Sequence, residues 1–183
     1  MKFLLVKWSV WNKQVHLKGC VRKMSKIQVY FGNGKGKSLA AMGYAMKKIC
    51  EGKQVILVSF LKGKLYDNQE LMRRLEPELK VLSFETGNKN YEELTKEEKE
   101  EQNIKIINAL NYVRKVMDTA ECDLLILDEV LGLVDNEVIS ESQIYELLQY
   151  SSDELEIMLT GRKIPESIAG IAENLYEIVS CRE

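Results

Sequence analysis

Apolar residues along this chain fall into short runs, separated by longer stretches in which they recur every three or four positions. The runs are KIQVY (26–30), QVILVSF (54–60), KVLSF (80–84), DLLILD (123–128), LEIMLT (155–160) and LYEIVS (175–180). Their length and their Val, Ile and Leu content predict β-strands, and nearly continuous apolar character in several of them predicts burial on both sheet faces. The spacing between the runs predicts helices over Lys37–Cys50, Asn68–Leu75, Tyr91–Thr119, Glu141–Tyr150 and Pro165–Glu173. Ser140 with Gln143 three residues later is a capping-box start, and Pro165 suits a first helical turn. Strand and helix alternating in this way predict an α/β fold of three layers, a mainly parallel sheet of about six strands flanked by helices.

The pattern has no internal repeat and no low-complexity linker, so one domain is expected over residues 25–183, preceded by a basic segment at 1–24. The stretch ETGNKNYEELTKEEKEEQN (85–103) is the part expected to move or to cover a site. Composition adds that 45% of the 183 residues are hydrophobic and 30% charged, which suits a soluble domain with a real core. No apolar run approaches the roughly 18 residues a bilayer requires, so no membrane association is expected. Cys20, Cys50, Cys122 and Cys181 stand far apart with no C-x-x-C pair, which speaks against a zinc knuckle or redox dithiol and for a reduced, cytoplasmic setting.

The net charge of −2 conceals an asymmetry: residues 1–26 hold seven basic residues and no acid, leaving −9 on the remainder. An acidic body is not expected to bind nucleic acid. The basic start is too short in its apolar core, and too broken by Lys7, for an export signal. It is either a flanking helix or a stretch ahead of a true start at Met24.

Between the first strand and first helix stands GNGKGKS (32–38). A phosphate-binding loop is usually written G-x-x-x-x-G-K-[ST]; here only Asn33, Gly34 and Lys35 separate Gly32 from Gly36, and Phe31 stands where the first glycine is expected. Glycines let the backbone N–H groups approach phosphate, Lys37 neutralises its charge, and the Ser38 hydroxyl can bind Mg²⁺. DLLILDEV supplies the other half of such a site, a buried strand ending in Asp128 and Glu129, whose carboxylates can hold the cation opposite Ser38. His16 is the only histidine, so neither a Ser-His-Asp triad nor a histidine metal cluster can be assembled.

The blocks VYFGNGKGKSLAAMGYAMK, ILVSFLKGK, DLLILDEV and IMLTGRKIPESIAGIAENLYEI, in this order and spacing, resemble the P-loop ATP:corrinoid adenosyltransferases. The resemblance implies a P-loop NTPase-like fold, usually as a homodimer, with ATP and a corrinoid as substrates and Mg²⁺ as cofactor. It implies transfer of the 5′-deoxyadenosyl group to Co(I), release of intact triphosphate, and a place in cobalamin biosynthesis or salvage. A reductase supplying Co(I) is an implied partner. Carried over by position, Gly32, Asn33, Gly34, Lys35, Gly36, Lys37 and Ser38 would hold the triphosphate, and Lys35 and Lys37 would act on the charge that grows on it. Ser38, Asp128 and Glu129 would form the metal site, and Lys47, Lys62 and Arg162 would contribute to substrate binding. Lys47 stands where relatives usually have an Arg, and cannot offer that residue's bidentate fork. Relatives also carry a Gly-Phe-x-Trp segment near the corrinoid; here Phe84 and Tyr91 stand in that region, and Trp8 and Trp11 lie in the basic segment, which has residues suited to a cover. Two rivals remain on the residues alone: a P-loop ATPase or kinase in which Glu129 serves water or substrate, and a non-catalytic module that binds ATP or corrinoid.

Overall fold

The computed structural model describes residues 6–7, 26–61, 69–84 and 91–181. In chain order the strands are β1 (Val6–Lys7), β2 (Lys26–Phe31), β3 (Val55–Ser59), β4 (Leu79–Ser83), β5 (Leu124–Asp128), β6 (Glu156–Thr160) and β7 (Asn174–Ile178). The helices are α1 (Lys37–Cys50), α2 (Gln69–Arg73), α3 (Lys96–Thr119), α4 (Leu131–Asp135), α5 (Glu141–Gln149) and α6 (Glu166–Ile171). The sheet runs β1-β7-β2-β6-β5-β3-β4, parallel throughout except for β1, which pairs antiparallel with β7 through Val6 and Ile178.

Strand side chains alternate between two apolar layers, which is why the strands read as continuous apolar runs. Val55, Leu57, Leu124, Ile126 and Met158 pack beneath α1, where Ala41 and Ala45, one turn apart and without bulk, let the helix lie close. The other face carries Ile27, Val29, Ile56, Val58, Leu125, Leu127, Ile157 and Leu159 under α3, α4, α5 and α6. On α3 the buried residues Ile106, Ala109, Val113 and Val116 recur at three-to-four spacing and form one stripe.

Four elements differ from the sequence reading. The two-residue β1 and the five-residue α4 were not foreseen. The long acidic helix starts at Lys96, not Tyr91, because Thr95 and Glu98 form a capping box there; Tyr91–Glu93 is a separate 3₁₀ turn. Pro165 occupies the N-cap in extended conformation instead of the first turn. The expected Ser140–Gln143 box is present.

A polar cluster ties the second half of α1 to the sheet. Gln28 Nε2 donates to Tyr44 Oη at 3.0 Å and to Glu156 Oε1 at 2.5 Å; Tyr44 also donates to Glu156, and Lys48 Nζ lies 2.6 Å from Glu156 Oε2. Burial, then the Glu156 hydrogen bond, raises the Tyr44 phenol above its usual value. Burial pulls the Lys48 ammonium down, but the Glu156 hydrogen bond and charge outweigh it and the net shift is upward.

Candidate functional site

The loop between β2 and α1 opens at the carboxyl ends of the parallel strands, where α/β sheets hold ligands. Gly32 and Gly36 have φ of 111° and 114°, a region closed to residues with a side chain. Gly32 and Gly34 also press against the end of β7: a methyl group would lie 2.5 Å from the Ile178 carbonyl oxygen at Gly32 and 2.7 Å at Gly34. The Gly34 N–H donates to that oxygen at 2.8 Å, and the Gly32 N–H donates to the Arg162 carbonyl at 3.0 Å. The shortened loop is therefore bolted to the end of β7 and to the turn that follows β6, the two strands that flank β2. Two of its glycines serve that close approach, while Asn33, Lys35 and Gly36 line the cavity beside it.

Lys37 is buried, and its ammonium donates to the Gly32 and Gly34 carbonyls at 2.7 and 3.0 Å, so its positive charge is held inside the loop. Ser38 is buried on the first turn of α1, whose N-terminus carries no acidic residue to cancel its positive dipole end. Lys35 is exposed on the rim.

Across the cavity, β5 delivers Asp128 and Glu129. Asp128 is fully buried, and its Oδ1 accepts from the Thr160 hydroxyl at 2.6 Å; the same hydroxyl accepts from the Glu129 N–H at 2.7 Å. Glu129 has φ of 59°, a left-handed conformation that costs a non-glycine residue of the order of 1–3 kcal/mol. The kink turns the chain from β5 towards α4, and the carboxylate comes over Gly132, where a methyl group would lie 3.6 Å from Glu129 Oε2. Ser59 stands beside Asp128 in the sheet register, fully buried, and its hydroxyl has no hydrogen-bond partner.

These residues surround a cavity of about 710 Å³, a size that holds a small-molecule ligand. Asn33 to Leu39, Leu61, Glu129, Gly132, Asp135 and Asn136 line it, with Tyr91, Glu92 and Arg162 also contributing. Arg162 lies 3.4 Å from Glu92, both exposed, a contact that contributes little to stability. Tyr91 is buried, and its hydroxyl donates to Asn103 Oδ1 at 2.7 Å, so the Tyr91–Glu93 turn of the expected covering segment is anchored to α3.

The structure thus brings the loop, Ser38, Glu129 and Arg162 to one cavity, with Asp128 behind it. Lys47 does not join them. It lies in the last turn of α1, about 15 Å along the helix from Lys37 at 1.5 Å per residue, where it is 3.8 Å from Glu51. Lys62, Trp8 and Trp11 lie outside the described residues. Phe84 is packed near Tyr112, with ring centroids 6.4 Å apart, and does not line the cavity. Thr160 was missed because its partner is one strand away in space and 32 residues away in sequence. Among the described residues no group of three or more His, Cys, Asp or Glu could hold a metal alone. The Ser38 hydroxyl and Glu129 carboxylate are nevertheless hard oxygen donors on one cavity, the donor set Mg²⁺ takes when phosphate oxygens complete its shell.

The family description ATP:corrinoid adenosyltransferase BtuR/CobO/CobP matches residues 23–183. The corrinoid adenosyltransferase of Escherichia coli (strain K12) is 26% identical over 157 residues, covering 83% of this chain and 75% of that protein. The corrinoid adenosyltransferase CobA of Salmonella typhimurium is 25% identical over 159 residues with the same coverage. An uncharacterized protein of Nostoc sp., all2391, is 29% identical over 167 residues, and the match spans 43% of its length. Among solved structures, the flagellar accessory protein FlaH of Methanocaldococcus jannaschii shares the fold, with a TM-score of 0.50 at 17% identity over 80% of this chain and 66% of that one.

Proposed function

The chain belongs to the ATP:corrinoid adenosyltransferase family BtuR/CobO/CobP, and on that premise we propose that it transfers the 5′-deoxyadenosyl group of ATP to the Co(I) of a reduced corrinoid. The observation that carries this reading is the shortened loop, braced by Gly32 and Gly34 and facing Glu129 across one cavity. In the transfer, the lone pair of Co(I) attacks C5′, the C5′–O bond breaks, and the triphosphate leaves with the bonding electrons. No proton has to be removed from the nucleophile, so the reaction needs no histidine base; positioning and charge stabilisation are what the protein must supply.

Lys37, already held inside the loop, would meet the charge that grows on the departing triphosphate, with Lys35 reaching it from the rim and the α1 N-terminus adding positive potential. Asn33, Gly34 and Gly36 would wrap the phosphates, Ser38 and Glu129 would ligate Mg²⁺, and Asp128 would support them from behind. Bound Mg²⁺ would screen the negative charge of the triphosphate. Arg162 would contact substrate at the cavity mouth. The proposal does without Lys47, given its place on α1. A homodimeric assembly, and a reductase supplying Co(I) to it, belong to the same reading.

The test is anaerobic: purified protein, MgATP and chemically reduced cobalamin, with the corrinoid spectrum followed while phosphorus NMR identifies the phosphate product. Adenosylcobalamin with intact triphosphate is expected. ADP and phosphate without corrinoid would replace the transferase by an ATPase in which Glu129 orients water, and binding without any product would leave a cofactor-binding module.

A further inference from the structure

We propose that Thr160 is a positioning residue for the cation site, one hydroxyl setting the supporting Asp128 side chain and the backbone of the cation-binding Glu129 together. The inference rests on reading Ser38, Asp128 and Glu129 as the groups that serve the cation.

A threonine hydroxyl has one proton to give and lone pairs to receive with. Thr160 gives its proton to Asp128 Oδ1 at 2.6 Å and receives the Glu129 N–H at 2.7 Å. Because both bonds meet at one oxygen, neither carboxylate-bearing residue can shift without straining the other's contact. The donated proton also presents Asp128 as a hydrogen-bond acceptor, occupying one of its oxygens.

Three further observations make the hydroxyl a restraint and not an incidental contact. The Glu129 backbone is left-handed, and such a conformation persists only where its surroundings hold it. Thr160 is fully buried and absent from the cavity lining, so it acts on substrate only through its two partners. Its β-branched side chain, fixed at the end of β6 beside β5 by the Leu127–Leu159 register, has few rotamers to choose from. The hydroxyl is thus pre-set before any ligand arrives, as outer partners of metal ligands are.

Thr160→Val keeps the shape and removes both hydrogen bonds; Thr160→Ser keeps the hydroxyl. Mn²⁺ affinity in the presence of ATP, read by electron paramagnetic resonance, is the main measurement, with ATP binding in EDTA and the kcat and KM of transfer beside it. The valine variant is expected to bind Mn²⁺ about 10- to 100-fold more weakly, with ATP binding in EDTA altered less than about twofold, and the serine variant to recover most of the loss. A change in kcat larger than that in KM for ATP would accompany it. Equal Mn²⁺ affinity in wild type and valine variant, equal losses in valine and serine variants, or an equal loss in EDTA would each overturn the proposal. Should the valine variant fail to fold by circular dichroism, Thr160→Ala carries the same expectations. Wild-type protein that binds no Mn²⁺ with ATP overturns it as well. Wild type that binds Mn²⁺ yet forms no adenosylcorrinoid removes the proposed reaction and leaves the role of Thr160 standing.

Discussion

Two polar clusters occupy the α1-facing side of the sheet, one at the start of β6 and one at its end, and they are built on opposite principles. At the start, Gln28, Tyr44, Lys48 and Glu156 satisfy one another across a helix and two strands. At the end, Asp128, Glu129 and Thr160 share a single hydroxyl, Glu129 is backbone-strained, and the neighbouring Ser59 hydroxyl is buried without a partner. The first cluster is what a buried polar group needs in order to be tolerated. The second leaves hydrogen-bonding capacity unspent and conformational strain unrelieved, which is where stability is given up in favour of a site.

The contrast can be broken most severely at the loop. Lys37→Ala removes a charge held within the GNGKGKS loop and, on the proposed reading, should weaken ATP binding at least about a hundredfold, about 2.7 kcal/mol, with a much smaller change in melting temperature; titration calorimetry and thermal unfolding read the two effects. The reverse result is expected at the other cluster. Glu156→Ala leaves Lys48, Tyr44 and Gln28 without their common acceptor and should cost about 2–4 kcal/mol of stability. Scanning calorimetry should show a melting point lower by roughly 5–12 °C, while ATP affinity stays within about twofold.

Ser59→Ala sharpens the comparison. Removing an unpaired buried hydroxyl should stabilise the fold by about 1 kcal/mol, measured by urea unfolding; a loss instead would show that the hydroxyl has a partner in solution. The smallest effect concerns pH. Tyr44 and Lys48 both hold their protons more tightly in the folded state than their ordinary values of 10.0 and 10.5. Their contribution is therefore complete below about pH 10 and lost as pH rises through the raised folded values. Urea midpoints should hold up to about pH 10 and fall as pH rises beyond it, and Tyr44→Phe should flatten part of that slope.

The strands and α1 were legible because a strand buried on both faces leaves an unbroken apolar run, and α1 keeps its small Ala41 and Ala45 in helical phase. The loop and the DLLILDEV carboxylates were legible because their chemistry is local. What escaped notice was nonlocal or locally disfavoured. Glutamate is not a residue one expects at positive φ, so neither the kink at Glu129 nor the short α4 behind it could be read from VLGLVDN. The Thr95 cap was hidden in an acidic stretch with no apolar contrast to mark where the helix starts. Ser59 and Thr160 acquire their meaning only from strand order, since β5 lies between β3 and β6. Lys47, a position carried over by resemblance, stands at the far end of α1 from the loop and outside the cavity lining, a placement that follows from the rise of the helix.

The Ile178 carbonyl that receives the Gly34 N–H belongs to the backbone, and every amino acid at position 178 would offer the same atom. Support for the phosphate loop is thus encoded as a count of residues, not as the identity of one. Any substitution at 178 leaves the message readable. Inserting or deleting one residue within β7, between Asn174 and Ile178, would bring the wrong carbonyl to Gly34, shift the register with β2, and change the loop without altering a letter of GNGKGKS.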